Sequence, residues 1–421
     1  MASVTRATLE FGRDVQWAFD APIDFTRIIP TGTRPLDDPA AATAAALADP
    51  FEFPALKHAL IPGDRIAITL SPQLPCRDEV LAGLLITLSE GKISPEDVTI
   101  CYAPGETISD HPADSLLGRT RHHLHEPENP KTLSYLAASE NANPIYFPRV
   151  VCDADVVIPI GCSRPSAGPE AFSFRGDLFP TFSDLETQQR FNSRISKQAH
   201  NLSTRPSPNK PETEAAWLLG VQFAIQVIPG RGQTVLQVLA GDREGIANEC
   251  DRLTSAVWTS QIKSPCELVI ASISGRNRIT TWFEVAEALQ RLQIPMDSSG
   301  AIVLATDLSM TPTGPLTSDP RDSSSYSSEV GSTATTTEVN LDLDGEAACA
   351  NMLTEFDRES RIYLISELDD SVVESAGMIP LNSQAQLQRL ASQFRTGLIV
   401  EEADQMVVHV RADFSDAAER S

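Results

Sequence analysis

The chain has 421 residues, 41% apolar and only 6% aromatic, with 57 acidic against 33 basic side chains for a formal net charge of −24. This length predicts roughly two to three domains with ample material for buried cores. A surface so acidic repels phosphate backbones, which excludes non-specific nucleic-acid binding. No apolar run approaches the ~18 residues of a membrane span. The opening MASVTRATLEFGRDVQWAF lacks a signal-peptide core, so the expected location is the cytoplasm, away from membranes. Seven cysteines are scattered without a C-x-x-C pair, a usage that points to reduced thiols.

Residues 23–50 read as a strand and turn, then a short Ala-rich helix capped by Asp37 or Asp38. Pro62-Gly63-Asp64 introduces a strand, Arg65 to Leu70, and the loop SPQLPCRDE leads into a helix from Asp78 to Ser89. Val80, Leu81, Leu84, Leu85 and Leu88 form a single apolar stripe on that helix. Val98 to Ala103 is the next strand and runs into PGETISDHPAD. Two successive strand–helix units predict a parallel sheet with right-handed crossovers. His122, His123 and His125 invite a metal reading. Adjacent residues in a strand or helix point apart, however, and the expectation is a surface segment.

Cys152 to Ile160 reads as a buried strand feeding a Gly/Ser/Pro-rich loop, Gly161 to Pro180. Ligands of open α/β sheets sit beyond the carboxyl ends of strands, because loops diverge there. This loop is therefore a candidate site wall, with an ordinary long surface loop as the equal alternative. Cys162 has no evident histidine to activate it as a nucleophile. Helices are predicted over 182–200 and 213–220. Val221 to Ile228 and Thr234 to Leu239 alternate as hairpin strands. Gly230-Arg231-Gly232 between them is a turn, since strand rather than helix follows it.

A helix from Glu244 to Trp258 and a polar connector mark the boundary between an N-terminal domain, 1–258, and a C-terminal domain, 264–412. The second domain resumes with strand Glu267 to Ser272, helix Trp282 to Leu292 and strand Ala301 to Ala305. Residues 310–340 are Ser/Thr-rich and apolar-poor, as expected of a flexible insertion. Helix Gly345 to Phe356, strand Arg361 to Ile365, helices Asp370 to Ala376 and Ser383 to Phe394, and strand Gly397 to Val400 complete the alternation. The predicted fold class is α/β: two domains, each with a mostly parallel sheet flanked by helices, and a cleft between them. No Walker A, G-x-G-x-x-G, G-x-S-x-G or H-E-x-x-H motif occurs, so residue patterns alone leave the activity open.

The order of several segments resembles the nickel-pincer-nucleotide lactate racemase family. The opening DFTRIIPTGTRPLDDPAAATAAALADPFEFPALKHALIPGDRIAITLS is similar to that family's N-terminal strand, helix and P-G-D strand. CDADVVIPIG, GVQFAIQVIPGRGQTVLQVLAGD and RIYLISELDDSVVESAGMIPLNSQAQLQRL are similar to three later segments, so the likeness spans about residues 20–400. The resemblance implies a hydride-accepting nickel cofactor tethered to a lysine, with two histidines as opposed acid/base groups on a 2-hydroxy acid. At the positions carrying this chemistry the chain departs from the family. The family's D-x-T-R-P falls on Pro72 to Cys76, so its acid and arginine become Pro72 and Pro75. Its first histidine falls on Thr107 and its second on Ser166. The tethering lysine falls on Gly176 and the nickel-binding histidine on Asn192. A glutamine and lysine of the second domain fall on Glu284 and Glu287, which share a helix face.

Glycine has no amine for a tether, asparagine is a far weaker nickel ligand than imidazole, and Ser or Thr is no general base near neutral pH without an activator. The expectation is a lactate racemase-like protein inactive as a nickel racemase, with no cofactor. Its cleft would keep a small carboxylate or hydroxy acid, or a partner, with Arg164 and Arg175 as candidate positive charges. The alternative is an active 2-hydroxy-acid racemase or epimerase with a rearranged site. A third reading has Glu284 and Glu287 hold a divalent cation, against the simpler expectation of a solvated helix face.

Overall fold

The structure is a computed structural model and describes residues 4–22, 24–32, 34–138, 143–165, 177–198, 211–273, 280–312, 314, 316, 343–356 and 360–411. It divides into two units, Met1–Thr31 with Trp258–Ser421 and Gly32–Val257. The expected insertion is almost wholly outside the described residues, as is the tail after Asp413. No helix among the described residues is long and apolar enough to cross a membrane.

The first unit opens with an antiparallel hairpin, β1 (Val4–Phe11) and β2 (Val15–Pro22), followed by β3 (Phe25–Ile28). Alternation explains the hairpin: Ala7, Leu9 and Phe11 are buried, while Arg6 on the same strand is exposed. The hairpin is not among the predicted elements, and its two strands meet through a turn at residues 13–14.

The second unit begins with helix Pro39–Ala48, whose Asp38 carboxylate accepts the Ala41 amide at 2.9 Å. This settles the choice of cap between Asp37 and Asp38. Among the described residues the strands that follow are β4 (Ile66–Leu70), β5 (Val98–Tyr102), β6 (Arg121–Leu124), β7 (Leu133–Ala138), β8 (Pro144–Pro148), β9 (Val156–Cys162), β10 (Phe223–Pro229) and β11 (Val235–Asp242). The main sheet has the order β11-β10-β9-β4-β5-β6 and is parallel except for β11, while β7 and β8 form a separate hairpin. Helix Arg77–Glu90 seats its predicted stripe, Val80, Leu81, Leu84, Leu85 and Leu88, in the core with Ile66, Ile68 and Leu70. The opposite face of the sheet, with Ala67, Cys101 and Val157, is covered by Phe147, Leu178, Phe179 and Phe182.

Gly241, in the Ala-Gly-Asp that ends β11, has φ +154°, and a Cβ there would lie 2.2 Å from the Phe51 carbonyl oxygen. The close approach is structural: Phe51 N donates to Ala240 O at 2.8 Å and Asp242 N to Phe51 O at 2.9 Å. Only glycine lets the two backbones meet.

The chain then returns to the first unit with β12 (Thr259–Ile262), β13 (Cys266–Ser272), β14 (Met296–Ala305), β15 (Arg361–Ile365), β16 (Ile379–Pro380), β17 (Gly397–Val400) and β18 (Val407–Val410). Its six-stranded sheet, β16-β15-β14-β13-β17-β3, is parallel throughout. The reading of 1–258 as one block differs from the structure at its start. Residues 25–28 pair with 397–400, and the β1–β2 hairpin packs Leu9, Phe11 and Phe19 on Leu268, Ile270 and Val303. An isolated hairpin is at best marginal in water, so these residues gain a core by joining a sheet whose strands lie hundreds of positions on. Each unit thus has a mostly parallel sheet flanked by helices, the predicted fold class.

Candidate functional site

In the second unit β4 and β9 are neighbours whose onward connections leave in opposite directions, β4 toward β5 and β6, and β9 toward β10 and β11. Such a switch point opens a crevice beyond the strand ends. Ser71 to Cys76, which follow β4, would form one wall of it, and Ser163 and Arg164, which follow β9, would begin the other.

The first wall is conformationally unusual. Gln73 (φ 55°) and Cys76 (φ 47°) both adopt the left-handed region without being glycine, a placement that costs free energy and is concentrated near functional sites. Two braces hold it. Glu106, from the loop after β5, accepts the Gln73 amide at 2.9 Å with Oε1 and Arg77 Nη1 at 3.3 Å with Oε2. Arg77 Nη2 donates to Ser109 Oγ at 3.0 Å, and its guanidinium lies 5.2 Å from the centre of the Tyr102 ring. Burial pushes the Tyr102 phenol up to about 12, and its hydroxyl stays protonated as it bonds His122 Nδ1 at 3.0 Å. The His111 ring stacks on His122, with its Nε2 at 4.0 Å from Asp78 Oδ2.

Beside the second wall, a Cβ on Gly161 of β9 would displace the end of the Gln226 side chain, whose Nε2 it would meet at 2.3 Å. Gln226 Nε2 donates to Asp177 Oδ2 at 2.8 Å. Desolvation holds the Asp177 carboxyl above its ordinary range, against the opposing pull of Arg243. Ser163 Oγ and Thr254 Oγ1 are hydrogen-bonded at 2.7 Å.

The sequence-predicted positions fall as follows. Pro72 is half-buried and Pro75 buried in the wall after β4, whereas Thr107 is exposed beyond the Glu106 brace. Arg164 is half-buried at the start of the other wall. Ser166, Arg175 and Gly176 lie outside the described residues, and so does the side chain of Asn192, on helix Leu185–Gln198. Glu284 and Glu287 lie in the first unit on helix Trp282–Leu292. Glu284 is only 3% exposed and closes a capping box, accepting the Thr281 amide at 2.8 Å and its hydroxyl at 2.6 Å. The expectation of a solvated glutamate face is thereby corrected at Glu284. The histidine segment also departs from expectation: His125 is 2% exposed, with Nε2 at 2.9 Å from the Ser183 carbonyl. Among the described residues no group of three His, Cys, Asp or Glu side chains is placed to hold a metal ion. The contacts of Asp78 with His111 and of Arg77 with Glu106 join segments about thirty residues apart, which no local pattern around these residues signals.

The first unit has its own switch point, between β13 and β17. The described residues there include the buried Glu401, Glu402 and Asp404, with Arg27 Nε donating to Glu401 at 2.9 Å.

Over 96% of this chain and 100% of the other, the fold is similar to the lactate racemase apoprotein from Thermoanaerobacterium thermosaccharolyticum, with a TM-score of 0.72 at 15% identity. The chain has a lactate racemase-like fold. A Thermotoga maritima protein of solved structure is also similar, with a TM-score of 0.63 at 12% identity over 91% of this chain and 100% of that one. No family profile and no curated protein matches the sequence. At such identities the lactate racemase-like likeness is one of fold.

Proposed function

We propose that this protein uses the lactate racemase-like fold to bind a small carboxylate, of the hydroxy-acid or sugar-acid class, without nickel-dependent hydride transfer. One observation carries the reading. The crevice between β4 and β9 has a guanidinium, Arg164, at the start of one wall, and Pro72 and Pro75 in the other. A guanidinium recognises a carboxylate through paired N–H donors, while proline side chains offer neither a proton acceptor nor a metal ligand.

The residues present do not fit the nickel-pincer group. Pro72 and Pro75 lack donor atoms, the Thr107 hydroxyl is exposed, and the Glu284 carboxylate is committed to its own helix cap. A hydroxyl in place of an imidazole is a poor ligand for a borderline metal such as nickel and a poor base at neutral pH.

A second reading, an active 2-hydroxy-acid racemase or epimerase with a rearranged site, is favoured by His111. This imidazole lies beside Asp78 and in the same loop pair as Arg77. It would supply one base from a position four residues beyond Thr107. Two-sided proton exchange requires a second group opposite it.

Nickel analysis of the purified protein, combined with thermal-shift titration against lactate, malate and gluconate, separates the readings. The proposal expects substoichiometric nickel and a carboxylate-dependent rise in Tm that is lost in Arg164→Gln. One equivalent of nickel together with lactate racemisation would establish the second reading instead.

A further inference from the structure

The edge of the second unit's sheet carries two histidines that the proposed anion site does not use. Cys101 of β5 is in register with His123 of β6, and Thr69 of β4 with Cys101. His125 follows two residues after His123, on the same face. The segment 178–184 lies over that face: Leu178, Phe179 and Phe182 share a core with Cys101 and Phe147, and the Phe182 ring is 5.7 Å from that of His125.

His125 is held by this covering segment through a bond that specifies its tautomer. Its Nε2 is 2.9 Å from the Ser183 carbonyl, an acceptor only, so Nε2 carries the hydrogen. Nδ1 is then a bare lone pair, buried and without a hydrogen-bond partner among the described residues. His123 Nε2 is likewise buried, with no partner among the described residues. A second proton on His125 would sit on a nitrogen with nothing to receive it, close to a second imidazole in the same condition.

We propose that His123 and His125 form a protonation-sensitive latch that holds segment 178–184 on the sheet at neutral pH and releases it in mild acid. Burial outweighs the pull of the Ser183 bond, Asp184 and Glu126 toward a protonated His125. Asp184, from the covering segment, has its carboxylate occupied by the Tyr146 amide at 2.9 Å, the Thr187 amide at 3.0 Å and the Thr187 hydroxyl at 2.7 Å. Glu126, in the turn after β6, is exposed and accepts Asn129 Nδ2 at 2.7 Å. From β5 the Cys101 thiol is pushed up to about 12 by burial and stays neutral, and from β4 Thr69 offers only a hydroxyl. Burial lowers both imidazoles, His125 to about 4.

Release also gives up the bonds from Gln188 Nε2 to the Ser183 carbonyl at 2.8 Å and the Thr181 carbonyl at 3.0 Å. The paired strands β4 and β9 keep their ladder, so the opening is local rather than global. The latch stands independently of the carboxylate reading, because its readout is the ordering of 178–184 and needs no ligand.

Hydrogen exchange of the full chain tests it, corrected for intrinsic rates. Protection at the Phe182, Ser183 and Asp184 amides should fall by at least ~10-fold between about pH 7 and about pH 4.5, while the β4 and β9 amides keep theirs. His125→Gln retains a donor for Ser183 but cannot titrate, and it should hold protection across the same range. Wild-type protection that persists to about pH 4.5, or an equal loss in His125→Gln, overturns the proposal. Should that variant fail to fold, NMR titration of the wild-type rings decides. A His125 that titrates at its ordinary value near ~6.5 while the segment stays protected rules the latch out.

Discussion

Arg77 Nη1 and Glu106 Oε2 pair at 3.3 Å, and the other oxygen of the same carboxylate accepts the Gln73 amide at 2.9 Å. The loops after β4 and β5 therefore behave as one polar unit. Glu106→Ala removes the acceptor from both a left-handed backbone segment and a half-buried guanidinium. The expected loss is about 1–2 kcal/mol in urea unfolding. In a double-mutant cycle, Arg77 and Glu106 should couple by about 0.5–1 kcal/mol, as both side chains retain some exposure.

Gly241 makes a stricter prediction. A Cβ at this position meets the Phe51 carbonyl oxygen at 2.2 Å and its nitrogen at 2.7 Å, and backbone cannot rotate away as a side chain can. Gly241→Ala should cost more than ~3 kcal/mol or abolish folding, with circular dichroism on heating as the measurement. Gly161→Ala meets instead the movable amide of Gln226. Its cost should be limited to about 1 kcal/mol, the loss of the Gln226–Asp177 bond.

Asp177 sets a pH dependence with a definite sign. Its carboxyl is held above the ordinary range, chiefly by desolvation, so the folded chain binds this proton more tightly than the unfolded chain. The stability it contributes is present at low pH and is lost as pH rises through the raised folded value. Asp177→Asn keeps an oxygen for Gln226 and has no charge to bury. The variant should gain on wild type as pH climbs from about 4 to about 8 in denaturant titrations. A constant difference between the two proteins would refute this assignment.

Glu284 separates a structural carboxylate from a metal ligand. It accepts both the amide and the hydroxyl of Thr281. Glu284→Ala should therefore lower stability by about 1 kcal/mol or somewhat more, in the range of a lost cap. The same shift should be measured with magnesium or manganese present as with a chelator. A metal-dependent difference would restore the cation reading for Glu284 and Glu287.

Local patterns determined much of the architecture. The stripe from Val80 to Leu88, the capped helix Trp282–Leu292, and the strands Arg361–Ile365 and Gly397–Val400 are legible because side chains two to four residues apart decide which face is apolar. The turn through Gly230 was legible for the same reason, and its Gly230 amide closes on Thr234 O at 2.7 Å. Tertiary structure alone decided that residues 25–28 pair with 397–400, that His125 is buried under Ser183, and that Arg77 reaches Glu106. Those outcomes depend on which distant backbone arrives alongside, and free energy gained by long-range pairing and burial leaves no periodic trace among neighbouring residues.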